Sequence, residues 1–180
     1  MKKSLCGLIA AVSMFALHAQ AAQPPAAAPA PANATAPVAM KTDYSGKWKL
    51  NIDKSDFGQI PPPTSESQVI TQTPDQITIA RTSVREQAEQ SYTMSVKLDG
   101  TDTPVPAGAF PDDAPFKIVG SKAEWDGSDL TISQNTTYQG AAGKVKAKYT
   151  LSPDGKVLTV STDISMSMGD FTIKSVYEKQ

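Results

Sequence analysis

Apolar and polar residues alternate with a period of two along most of the chain beyond residue 44. In Ser45-Gly46-Lys47-Trp48-Lys49-Leu50-Asn51-Ile52, one face carries Trp48, Leu50 and Ile52 and the other Lys47, Lys49 and Asn51. That is the signature of a strand with one buried and one wet side. Ser67 to Thr73 holds Val69 and Ile70, and Gln76 to Thr82 places Ile77 and Ile79 on one face, with Pro74-Asp75 as the hairpin turn between them. Ser91 to Leu98 sets Tyr92, Met94, Val96 and Leu98 against Thr93, Ser95 and Lys97, and Asp99-Gly100 closes it. Phe116 to Gly120 and Ser121 to Trp125 read as one strand with an interruption, and Asp129 to Tyr138 as another with Leu130 and Ile132 on one face. Lys144 to Leu151 turns Val145, Ala147, Tyr149 and Leu151 inward and Lys144, Lys146 and Lys148 outward. Lys156 to Met168 and Asp170 to Glu178 complete the series after the Ser152-Pro153-Asp154-Gly155 turn.

Between these runs, Asp53 to Phe57 offers cap residues and predicts one short helical turn. Arg85 to Gln90 reads as a wet strand end or turn, and Thr101 to Pro115 as an irregular loop. No stretch beyond the first residues shows a helical period. Roughly nine or ten short strands separated by turn signals predict an antiparallel meander. The expected fold is all-β, an up-and-down barrel of about 8–10 strands, with a β-sandwich as the alternative.

The first 44 residues differ in kind. Lys2 and Lys3 precede a mostly apolar run from Leu5 to Leu17, and Ala19-Gln20-Ala21 fits the small-x-small cleavage pattern. Residues 1–21 therefore read as a signal peptide, too short to span a bilayer. Residues 22–41, built largely of alanine and proline, read as a disordered or semi-rigid spacer. Residues 42–180 form the expected domain. The chain is expected to be exported, to the periplasm or beyond, with no membrane-spanning segment after cleavage.

Export changes the chemistry on offer. Cys6 and His18, the only cysteine and histidine, both lie in the leader. The remaining chain then has no thiolate or imidazole for a metal site, a nucleophile or a general base. Losing Lys2 and Lys3 leaves 15 of the 17 basic residues against 18 acidic ones, a net charge near −3. That balance argues against nucleic acid, which requires a basic footprint. Neither a cofactor nor catalysis is expected.

The order of motifs carries a resemblance. Gly46-x-Trp48 on the first strand resembles the opening of lipocalins and related calycins. The run Ser45 to Asn51, then Lys54-Ser55-Asp56-Phe57-Gly58, Leu98-Asp99-Gly100, Leu151 to Thr159 and the terminal Val176-Tyr177-Glu178-Lys179 is similar to uncharacterised exported bacterial lipocalin-like proteins. The resemblance implies a ligand-binding barrel with Trp48 as an end plug. It also implies a basic side chain from the last strand over that tryptophan; no arginine follows Arg85, so Lys174 or Lys179 would have to serve.

The candidate site is an apolar one inside the barrel, lined by Tyr92, Met94, Trp125, Tyr138, Tyr149 and Phe171, for a small hydrophobic ligand. The competing reading makes these residues plain core filling and the protein an envelope-associated interaction module without a ligand. The lysine row would then face an anionic surface, or simply defend a sheet edge. Asp99 with Asp102, and Asp112-Asp113, are the tight carboxylate clusters, and both read as solvated turns. Met166 and Met168 read as two inward core residues rather than thioether ligands to Cu(I).

Overall fold

The computed structural model describes residues 41–86, 88–106, 110 and 114–180. The expected leader, the expected spacer up to residue 40, and Asp112-Asp113 lie outside the described residues. No described helix is long and apolar enough to cross a membrane.

Ten strands follow one another as an antiparallel meander. They are β1 (Gly46–Leu50), β2 (Ser65–Gln72), β3 (Gln76–Arg85), β4 (Ala88–Lys97), β5 (Thr103–Pro104), β6 (Phe116–Asp126), β7 (Asp129–Tyr138), β8 (Ala141–Leu151), β9 (Val157–Met166) and β10 (Gly169–Lys179). One 3₁₀ turn, Ile52–Lys54, capped by the Asn51 side chain, begins one residue before the expected Asp53 to Phe57 turn and overlaps only its start. The sheet order is β4-β3-β2-β1-β10-β9-β8-β7-β6-β5, so β1 pairs with the last strand and the sheet curls round on itself. Its two ends approach one another, β4 beside β5 and β6. The Lys97 amide donates to the Thr103 hydroxyl across the seam at 3.0 Å. The architecture is therefore an up-and-down barrel, nearly closed and of calycin-like type. A sandwich is ruled out by the single continuous ladder.

Two expectations are corrected by this topology. β8 lies between β7 and β9, so Lys144, Lys146 and Lys148 do not defend an edge. Lys148 pairs instead with Asp129 at 3.0 Å and Asp126 at 3.7 Å. Met168 falls in the β9–β10 turn and is 60% exposed, so only Met166 points toward the interior. The interruption expected in β6 is a bulge between Ile118 and Gly120.

The two halves of the barrel differ. Near the β2–β3, β6–β7 and β8–β9 turns the interior is filled by Tyr44, Ile77, Val96, Leu98, Leu130 and Leu158. Trp48 is fully buried, and its Nε1 donates to the Tyr44 carbonyl at 3.0 Å. The Tyr44 hydroxyl reaches the carbonyls of Tyr149 at 2.8 Å and Ser128 at 2.9 Å, tying the segment before β1 to the far side of the barrel. Lys179 places its Nζ 5.3 Å from the centre of the Trp48 ring. Gly46 makes room for it. A Cβ there would stand 2.9 Å from Lys179 Cε, and the backbone φ of +148° disfavours any other residue. The Gly-x-Trp spacing thus has a local cause: glycine at 46 lets the last strand's cation lie over the plug.

Candidate functional site

The other half of the barrel is not filled. It holds a cavity of about 210 Å³, bounded toward the β3–β4 and β9–β10 turns by Phe57, Arg85, Phe116 and Met166. Its walls are mainly apolar, with Met94, Val145, Ala147, Val160 and Ile164 among them. This size exceeds the ~150 Å³ engineered cavity that admits benzene and lies below the ~300–1,000 Å³ of drug-sized pockets.

A polar row crosses the cavity wall. Gln68, Arg81 and Tyr92 stand opposite one another on β2, β3 and β4, and all three line the cavity. Their inward direction follows from the period of two: Ile70 and Ile79 are buried, and two residues further along each strand come Gln68 and Arg81. Arg81 Nη2 donates to Glu66 Oε2 at 2.5 Å, and Arg81 Nη1 donates to the Tyr92 hydroxyl at 3.3 Å. The other Glu66 oxygen accepts from the Tyr177 hydroxyl of β10 in a short bond. The carboxylate is thereby enclosed: the Glu66 side chain is 1% exposed, whereas that of Arg81 is 32% exposed. Since Arg81 is an interior residue that lines the cavity, its open surface faces that space.

Burial alone would depress the Arg81 charge, but Tyr92, Tyr177 and Glu66 around it outweigh this and hold the guanidinium above its ordinary value. Burial pushes the Tyr177 hydroxyl well up, with Glu66 adding to the effect and Arg81 opposing it. Burial likewise raises Tyr149, reinforced by Tyr92. Tyr177 and Tyr149 therefore remain protonated at neutral pH, and Tyr177 acts as the donor toward Glu66. Arg81 and Arg85, which donates to the Pro61 carbonyl at 2.6 Å, are the only arginines of the chain, and both line the cavity.

The residues singled out by alternation divide between two places. Tyr92, Met94 and Tyr149 line the cavity, with Met94 Sδ accepting from Gln134 Nε2 at 3.0 Å. Trp125 does not line it. It stacks on Tyr44 at 6.2 Å in the filled half, with Lys41 Nζ 5.4 Å from its ring. Tyr138, half-buried at the end of β7, is not among the lining residues; Phe116 opposite it is. Phe171 lies in an outer groove with Lys144, Lys146 and Asp163. Alternation reports the face of a strand and not the depth along the barrel axis, which is why these three separate from the others. Glu66, Gln68 and Arg81 are the residues that alternation could have found and aromatic content could not.

No group of three or more potential metal-ligating side chains exists among the described residues. Asp99 accepts from the Thr101 amide and hydroxyl in a turn, and those two bonds hold its carboxyl below the usual range.

The fold and cavity define a calycin-like barrel with a half-open interior. No family model matches the chain, and no curated protein matches it in sequence. Among solved structures it is similar to zebrafish ileal bile acid-binding protein complexed with cholic acid. That alignment covers 76% of this chain and 98% of the other, at 16% identity and a TM-score of 0.50. The REP1-NXSQ fatty acid transporter aligns over 76% and 95%, at 12% identity and 0.49. A Schistosoma mansoni fatty acid binding protein in complex with arachidonic acid aligns over 76% and 96%, at 16% identity and 0.43. At such identities the likeness is one of fold.

Proposed function

We propose that this chain is an exported binding protein that holds a small hydrophobic molecule in the open half of its barrel. The observation that carries the reading is the cavity itself: apolar walls for most of its extent, with polar groups converging at Gln68, Arg81 and Tyr92. The zebrafish bile acid-binding protein, which shares the fold, is complexed with cholic acid, and that supports a bound small molecule here. A filled, ligand-free module is the weaker reading, since it needs the whole interior packed, and the cavity of about 210 Å³ leaves part of it open.

Titration with an uncharged environment-sensitive dye, N-phenyl-1-naphthylamine, tests the assignment. The wild-type chain should enhance its emission saturably at one site. Ala147→Phe, which projects a ring into the cavity, should weaken binding at least tenfold while leaving the β-sheet circular dichroism intact. Absence of enhancement in the wild type, or equal binding by the variant, would refute the reading. Export rests on the leader, and the mass of the secreted or periplasmic protein checks it: the chain should begin at Ala22, and retention of the full precursor mass would contradict this.

A further inference from the structure

We infer that the ligand is uncharged at its polar end and presents a hydrogen-bond acceptor, such as a ketone, ester or amide carbonyl oxygen, to Gln68 and Arg81. The inference rests on the interior-ligand reading above and specifies the chemical class. Two observations carry it, one of charge and one of unmet hydrogen bonds.

The charge of Arg81 is already matched within the barrel. Glu66 holds one guanidinium nitrogen at 2.5 Å, and its second oxygen is taken by Tyr177. With 1% of its side chain exposed, Glu66 is held out of solvent beside Arg81. A carboxylate entering beside Arg81 would meet a fixed anion in a medium of low effective dielectric, where like charges repel strongly. The second cation, Arg85, stands at the rim of the cavity and is already engaged by the Pro61 carbonyl. An anion held there would leave the inner polar row unanswered.

That row lacks acceptors. Of the five buried side-chain nitrogen or oxygen atoms without a partner among the described residues, two are Arg81 Nε and Gln68 Nε2. Both belong to side chains that line the cavity and face one another across β2 and β3. Both are donors only. Unmet buried donors are unfavourable, and a neutral acceptor oxygen answers such a donor without adding charge. The remainder of the ligand, a short alkyl chain or a ring, then lies against Met94, Val145, Val160 and Ile164.

The test uses ligands of matched length at pH 7: octan-2-one, octanoate and n-octane, each competed against the naphthylamine dye on the full chain. Wild-type protein should bind octan-2-one at least tenfold more tightly than octanoate. Glu66→Gln releases the Arg81 charge and should raise octanoate affinity at least tenfold. Gln68→Leu should lower octan-2-one affinity severalfold while leaving n-octane unchanged, and it provides an independent readout should the Glu66 variant fail to fold. Octanoate binding as tightly as the ketone to wild type, or a ketone-to-octanoate ratio unmoved by Glu66→Gln, would overturn the inference while leaving the interior site standing. Failure of the dye and of all three compounds to bind wild type would remove the interior site and this inference together.

Discussion

Replacing Arg81 by methionine isolates the interaction on which the interior depends. The substitution keeps most of the side chain's apolar volume and removes the cation. Glu66 is then left 1% exposed with Tyr177 as its remaining partner in the network. Removing one member of a buried ion pair costs about 3–5 kcal/mol. The open face of Arg81 allows cavity solvent to soften the loss, so the lower figure of ~3 kcal/mol applies. Glu66→Gln keeps the Tyr177 bond and the shape, and should cost ~1–2 kcal/mol. In the double variant no charge is left to strand, so its cost should fall well short of the sum, giving a coupling of ~2 kcal/mol. Urea unfolding followed by Trp48 and Trp125 fluorescence measures all four corners of the cycle. A cost for Arg81→Met below ~1 kcal/mol, or a coupling below ~0.5 kcal/mol, would show that the pair is not an enclosed one.

Other consequences follow from the same packing. Burial raises the Tyr44 hydroxyl to about 12, with Asp129 adding to it, and raises Tyr149 and Tyr177 further in the same direction. Because these folded values exceed the ordinary tyrosine value near 10, their contribution is complete below pH ~10. It is lost as pH rises toward and through the folded values. Absorbance at 295 nm should therefore show these three phenols ionising together with loss of near-ultraviolet circular dichroism above pH ~10; their ionisation near pH ~10 with the fold retained would refute the burial argument. Gly46→Ala should destabilise the barrel by ~1 kcal/mol or more through its positive φ and shift Trp48 fluorescence by displacing Lys179. Lys179→Met should shift that fluorescence at a stability cost of ~0.5–1 kcal/mol, and an unchanged spectrum in both variants would remove the cation from the ring.

Much of the barrel was legible because strand and turn signals are local. Asp129 to Tyr138 has the same bounds in the pattern and in the fold, and the Pro74-Asp75 turn falls where its residues demand. β5 was not legible, since Thr103–Pro104 is defined only by pairing with Ser121 and Gly120 far along the chain. The lysine row on β8 reads the same whether the strand is an edge or an interior one; only its neighbours decide. Depth was the larger omission. Tyr92, Trp125 and Phe171 all alternate inward, yet one lines the cavity, one packs under Tyr44 and one lies in an outer groove. Extending the period of two from Ile70 and Ile79 reaches Gln68, Glu66 and Arg81. An inward charge remains an implausible assignment until its partners are known, and Tyr177 lies 111 residues beyond Glu66.

The central claim is that the half of the barrel facing the β3–β4 and β9–β10 turns is an open binding space. Methionine methyl NMR addresses it most directly, because Met94 and Met166 line that space whereas Met168 stands exposed outside it. On titration with octan-2-one, the methyl signals of Met94 and Met166 should move together and saturate at one equivalent, while that of Met168 stays in place. Signals from Met94 and Met166 that do not respond, or a response confined to Met168, would contradict the account.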